Sequence, residues 1–268
     1  MTGIFEQVAT ALYCKEPLQK CELTQKLNQQ WTQNSVVVGP VPVARPKPGR
    51  PDLPILVAPS KVPKRGLGTD RGKAALMHAV AHIEFNAINM ALDMILRFAN
   101  SEEVSNNQLQ KVFISDWLSV AADEARHFSL IMEYLNKLNF EYGDFPAHDG
   151  LWEASEQTAY DIAARLAVAP MVLEARGLDV TPFMINKFIK FNDLQAVKVL
   201  KVILVEEVAH VAIGTKWFDI IAQKRGRDPI PYFHELVRTN FKGMLKPPFN
   251  NPARYEAGLF EDFYLPLS

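Results

Sequence analysis

Between Asp70 and Lys224 apolar residues recur at helical spacing in four long stretches, and each stretch carries a glutamate inside its apolar stripe. An apolar stripe faces a core, and an ionised carboxylate left alone in a core is strongly destabilising. The chain must therefore fold into long helices that bring compensating groups to those four glutamates. The first stretch, 70–98, aligns Met77, Val80, Ala81, Glu84, Ile88, Ala91 and Ile95, with Thr69 or Asp70 as cap. The second, 107–138, aligns Phe113, Trp117, Val120, Glu124, His127, Phe128, Ile131 and Leu135. The third, 153–178, aligns Ala163, Leu166, Ala167, Met171 and Glu174; the fourth, 193–224, aligns Ala196, Leu200, Ile203, Glu207, His210, Val211, Gly214 and Phe218.

Two of the four glutamates stand three residues before a histidine: Glu124-x-x-His127 and Glu207-x-x-His210. Residues three apart lie about 60° apart around a helix, so both side chains of a pair can point at one ion. From 17 glutamates and 6 histidines in 268 residues, chance expects roughly 0.4 such pairs in a chain of ordinary composition. Two is only mildly unusual by count; their placement in mid-helix apolar stripes gives them weight. Four converging carboxylates would repel one another, and two divalent cations supply the compensating charge. The six candidate ligands are thus Glu84, Glu124, His127, Glu174, Glu207 and His210. Asp123 and Glu206, each directly before a ligand glutamate, can accept a hydrogen bond from a ligand histidine of a neighbouring helix; solvated helix positions are the alternative.

The rest of the chain is read as appendages on this bundle. Residues 3–31 read as one or two short amphipathic helices, whereas 37–68 hold many of the 18 prolines and cannot form a continuous helix. That segment is expected to lie over the bundle as an extended arm anchored by Leu53, Ile55, Leu56 and Val57. TPFMINKFIKFN predicts a short helix before the fourth long one; after Gly226 one more helix and an irregular aromatic tail follow. The organisation predicted is 1–69 for the N-terminal helices and arm, 70–226 for the bundle, and 227–268 for the C-terminal helix and tail.

A net charge of -1 does not point to nucleic acid, and no uncharged apolar run approaches the roughly 20 residues of a membrane span. With only Cys14 and Cys21 as cysteines, a cytoplasmic protein with reduced thiols is expected. The arm and first bundle turn collect Arg45, Lys47, Arg50, Lys61, Lys64, Arg65, Arg71 and Lys73. That bias can attract RNA or an anionic substrate, although a solvated face explains it as well. His78 and His82 have metal-ligand spacing, but Glu84 lies about 200° around the helix from His82. A structural hydrogen bond to the arm or tail is the reading for both. Trp117, Phe128, Tyr134 and Trp217 are read as core, Arg126 and Arg176 as ion-pair partners, and Pro170 as the source of a kink one turn before Glu174.

The order Glu, Glu-x-x-His, Glu, Glu-x-x-His resembles the ligand set of the ferritin-like di-iron and di-manganese carboxylate bundles. That likeness implies an all-α ferritin-like four-helix bundle in which Glu124 and Glu207 bridge two metals, Glu84 and Glu174 are terminal ligands, and each histidine caps one ion. HAVAHIEFNAINMALD, HDGLWE, LEARGLDVTP and HVAIGTKWF further resemble the ferritin-like family labelled domain of unknown function 455. One departure is Glu206, where the resemblance leads one to expect Asp.

The function this implies is an O2-dependent di-iron oxidase or hydroxylase, with O2 and a small molecule or modified nucleoside as partners and an electron donor the sequence does not identify. Iron is the expected metal and manganese the alternative. A monomer or small homo-oligomer is expected, with no membrane partner. Iron oxidation and storage is a second reading, opposed by the segments added before and after the bundle. Manganese-dependent peroxide dismutation is a third, and a metal-free helical scaffold a fourth.

Overall fold

A computed structural model of the chain describes residues 3–42, 47–62 and 66–268. Arg45, Lys64 and Arg65 of the basic arm lie outside the described residues. The helices are α1 (Ile4–Tyr13), α2 (Pro17–Thr32), α3 (Asp70–Phe98), α4 (Asn107–Lys137), α5 (Gly150–Gln157), α6 (Ile162–Val168), α7 (Ala175–Lys190), α8 (Leu194–Lys224), α9 (Pro229–Asn240), α10 (Asn251–Glu256) and α11 (Glu261–Tyr264). A π-helical segment, Ala169–Glu174, joins α6 to α7. The fold is all-α; among the described residues the only β pairing is an isolated parallel bridge between Leu56 and Ala147. Two compact units are present, Met1–Trp152 and Glu153–Ser268.

In the first unit α3 packs along α4, with α1 against α3 and α2 against α4. Local chemistry sets the ends of the long pair. Thr69 Oγ1 accepts the Gly72 N–H at the start of α3, and Asn106 Oδ1 accepts the Gln108 N–H at the start of α4. Every residue of the predicted stripes of α3 and α4 is buried, and each large apolar side chain so placed contributes about 1.5 to 3 kcal/mol. The α3 helix is long and apolar enough to cross a membrane, but 89% of that window is buried, as in a core helix.

The arm is held only partly as expected. Leu56 and Val57 are half-buried, but Leu53 and Ile55 are exposed, at 51% and 63%. The backbone adds an anchor: Ala147 donates to Ile55 O at 3.0 Å, and Val57 donates to Ala147 O at 2.9 Å. Prolines deprive the arm of helical hydrogen bonds, so its remaining amides pair with the loop after α4. Of the basic residues, Arg71 lies over the Phe145 ring and Lys73 pairs with Asp70 at 3.6 Å.

In the second unit α8 packs against α6, the π-helical segment, α7, α9 and α10. The single helix expected over 153–178 is not continuous. Asp161 starts a new helix, its Oδ1 accepting the Ala164 N–H at 2.8 Å. Pro170, which has no N–H, then falls where the chain widens into the π segment. The short helix expected at TPFMINKFIKFN is the second half of α7, which tolerates Pro182 because Asn250 donates to the Leu178 carbonyl at 3.0 Å. That carbonyl is the one the proline leaves without a helical donor. The tail is more regular than predicted and contains α10 and α11.

Candidate metal centre

In the first unit Glu84 comes from α3, and Glu124 and His127 from α4. All three are buried, and each offers a ligand atom within 4.8 Å of the others. His127 Nδ1 lies 3.1 Å from Glu84 Oε2 and 3.5 Å from Glu124 Oε2. Burial, followed by repulsion from Glu124, pushes the Glu84 carboxyl well above the usual range. For His127 burial pulls downward, but hydrogen bonds to Glu124 and Glu84 outweigh it and raise the ring to about 11. A proton on Nδ1 thus supplies the positive charge this pocket demands. The same nitrogen lone pair and the same carboxylate oxygens form a hard N,O donor set, so the residues fit a divalent metal in place of that proton.

An aromatic cluster joins α3, α4 and the loop after α4. Phe85 and Phe128, next in sequence to Glu84 and His127, have ring centroids 5.9 Å apart. Tyr142, from the loop after α4, contacts both at 5.7 and 5.1 Å. Its hydroxyl hydrogen-bonds His82 Nδ1 at 2.7 Å, while Asn86 donates to Asp149 Oδ1 at 2.9 Å beside the same ring. His78 Nε2 accepts the Gly143 N–H at 2.9 Å. His78 and His82 are therefore structural, as expected, but their partners belong to the 138–149 loop rather than to the arm or tail.

In the second unit the α4 pair has a counterpart on α8. Glu207 and His210 are buried, with His210 Nδ1 3.8 Å from Glu207 Oε2. Glu174, also buried, closes the π-helical segment; π turns concentrate at functional sites. The segment is shaped by a close approach within this unit. Gly214 of α8 admits the Pro170 ring, where a Cβ would stand 2.6 Å from Pro170 Cβ.

Asp123 and Glu206 are half-buried. Asp123 accepts from Arg126 at 3.3 Å, and Arg176 pairs with Asp179 at 3.3 Å, so both arginines behave as the sequence implies. Trp117, Phe128, Tyr134 and Trp217 are core residues. What sequence reasoning missed is the Tyr142–His82–Asn86–Asp149 network and the buried Lys20, whose Nζ donates to Leu12 O at 2.7 Å and Asn89 Oδ1 at 2.5 Å. A lysine at a helical interval from Leu23 and Leu27 was the available signal for the latter.

These features define an all-helical protein with a buried glutamate–histidine cluster able to hold a metal ion. The chain belongs to the family described as "Protein of unknown function (DUF455)", whose profile matches residues 13–265. It is 42% identical over 264 residues to a Haemophilus influenzae protein called "Uncharacterized protein", a match covering 96% of this chain and 91% of the relative. No solved structure matches.

Proposed function

We propose that Glu84, Glu124 and His127 act together with Glu174, Glu207 and His210 in one dinuclear centre, and that the protein is an O2-dependent oxidoreductase of the ferritin-like di-iron class. The observation that carries this reading is the burial of two carboxylates and an imidazole within 4.8 Å of one another, an arrangement that a divalent cation can stabilise in place of the His127 proton. The Glu207/His210 pair, with the same residue spacing and the same nitrogen turned to the glutamate, supports a second ion.

In this reading Glu84, Glu124, His127, Glu174, Glu207 and His210 would hold the ions, with Glu124 and Glu207 shared between them by resemblance to the class, and Asp123 and Glu206 would steady the histidines. Bound iron would supply one-electron redox chemistry towards dioxygen, for which hard carboxylate donors are suited. The protein's own part is to hold the donors in fixed geometry and exclude water. On the first unit's side Glu84, Glu124 and His127 are all buried. The substrate is a small organic molecule or modified nucleoside, and the setting a reducing cytoplasm in which Cys14 and Cys21 remain thiols.

Metal analysis of protein purified without chelator, followed by an optical spectrum after ferrous protein meets O2, tests the reading. Two irons per chain and an O2-dependent absorption change are expected, with Glu124→Ala and Glu207→Ala each losing the paired ions. Unchanged metal content in both variants refutes the ligand assignment. Manganese with peroxide dismutation, or ferrous oxidation in a large cage without organic substrate, would replace the proposed activity.

A further inference from the structure

The second unit contains a cavity of about 350 Å³, within the range of small-molecule sites. Its wall includes four cations, Arg176, Lys242, Lys246 and Arg254, against the single carboxylate of Asp179. Leu173, Phe241 and Phe249 supply apolar surface.

Asp179 is already committed. Arg254 Nε and Nη2 donate to its two oxygens at 2.9 and 2.7 Å, and Arg176 Nη1 approaches at 3.3 Å. Arg176 also donates to Lys246 O at 2.6 Å and Pro248 O at 3.2 Å, which fixes the loop carrying the lysines. Arg254 is only 2% exposed, yet its Nη1 is buried with no hydrogen-bond partner. A buried donor left without an acceptor is penalised by about 1 to 3 kcal/mol; the Phe249 and Tyr264 rings, 5.0 and 4.6 Å from the guanidinium carbon, compensate part of that, and an acceptor entering beside Arg254 would supply the rest. Among the described residues Lys242 and Lys246 have no ion-pair partner, and both are exposed.

We propose that this cavity binds a small organic oxyanion, a carboxylate or phosphate ester carried on an apolar body. The charged head meets Arg254 and the two lysines, and the body lies along Leu173, Phe241 and Phe249. Leu173 directly precedes Glu174, so the ligand sits beside the π-helical segment. The proposal stands on second-unit residues alone and does not depend on metal binding.

Titration calorimetry on the full chain, both as purified and after chelation, tests it with 4-phenylbutyrate, phenyl phosphate, neutral 4-phenylbutyramide and inorganic phosphate. Saturable binding of 4-phenylbutyrate or phenyl phosphate is expected, the tighter of the two identifying the head group. The amide and inorganic phosphate should each bind at least about tenfold more weakly, as should the preferred probe to a Lys242→Gln/Lys246→Gln variant; tenfold is about 1.4 kcal/mol. Arg254→Lys removes Nη1 but also disturbs the Asp179 pair, so the exposed double variant carries the test. Equal binding of the amide, equal binding of inorganic phosphate, absence of oxyanion binding, or an unchanged double variant overturns the proposal. Loss of metal on chelation with probe binding intact separates this inference from the dinuclear reading.

Discussion

Replacing Gly214 by alanine should destabilise the protein by about 1 kcal/mol, from opposed terms of helix propensity and overpacking. In an open helix the substitution stabilises, because alanine is favoured over glycine by about 1 kcal/mol. At Gly214 the added Cβ would meet Pro170 Cβ at 2.6 Å and Cγ at 2.8 Å. The proline ring cannot rotate away, so α8 or the π-helical segment must move, at about 1 to 3 kcal/mol for an overpacked core. Gly177 in α7 is the control. Nothing lies within 4 Å of a Cβ built there, so Gly177→Ala should stabilise by about 0.5 to 1 kcal/mol. Urea midpoints of the two variants and the parent, at one fixed metal concentration, provide the comparison. The two variants should move in opposite directions. A Gly214→Ala protein as stable as the parent would show that Pro170 and Gly214 are not in tight contact. If displacement of the π segment also shifts Glu174, the same variant should lose metal more readily than Gly177→Ala does.

Burial lowers the Lys20 ammonium to about 7, against the opposing effect of Cys14 and then Cys21. Between pH 7 and 9 the unfolded chain therefore holds a proton at Lys20 that the folded chain lacks. Over this window His127, raised to about 11, contributes stability that falls with pH, whereas Lys20 contributes stability that rises. Above 9, the ordinary value for a thiol here, Cys21, pushed up to about 12 by burial, acts in the opposite direction. Lys20→Met should make the slope of denaturant midpoint against pH between 7 and 9 more negative than the parent's; an unchanged slope would show that Lys20 does not titrate there. Tyr142→Phe keeps the ring against Phe85 and Phe128 but deletes the 2.7 Å hydrogen bond to His82. A loss of about 1 to 3 kcal/mol is expected, and an unaltered thermal midpoint would show that the network is not structural.

The parts of this fold that the sequence discloses are those whose partners lie within a few residues. Thr69, Asn106 and Asp193 cap α3, α4 and α8 through contacts two or three positions on, so the ends of those helices follow from local chemistry. The two Glu-x-x-His pairs are legible for the same reason: Glu and His three apart share one helix face whatever the fold around them. The third helical stretch is not legible, because its shape is decided at a distance. Pro170 announces a break, but the π register depends on its ring lying against Gly214, and Pro182 survives in α7 through Asn250 from the tail. The arm deceives in a related way: Leu53 and Ile55 look like anchors, whereas the backbone pairing with Ala147 does the holding. Arg254 is the extreme case. In sequence it is one cation in an irregular tail, and it acquires meaning only where Asp179 takes two of its nitrogens and leaves the third buried and unsatisfied.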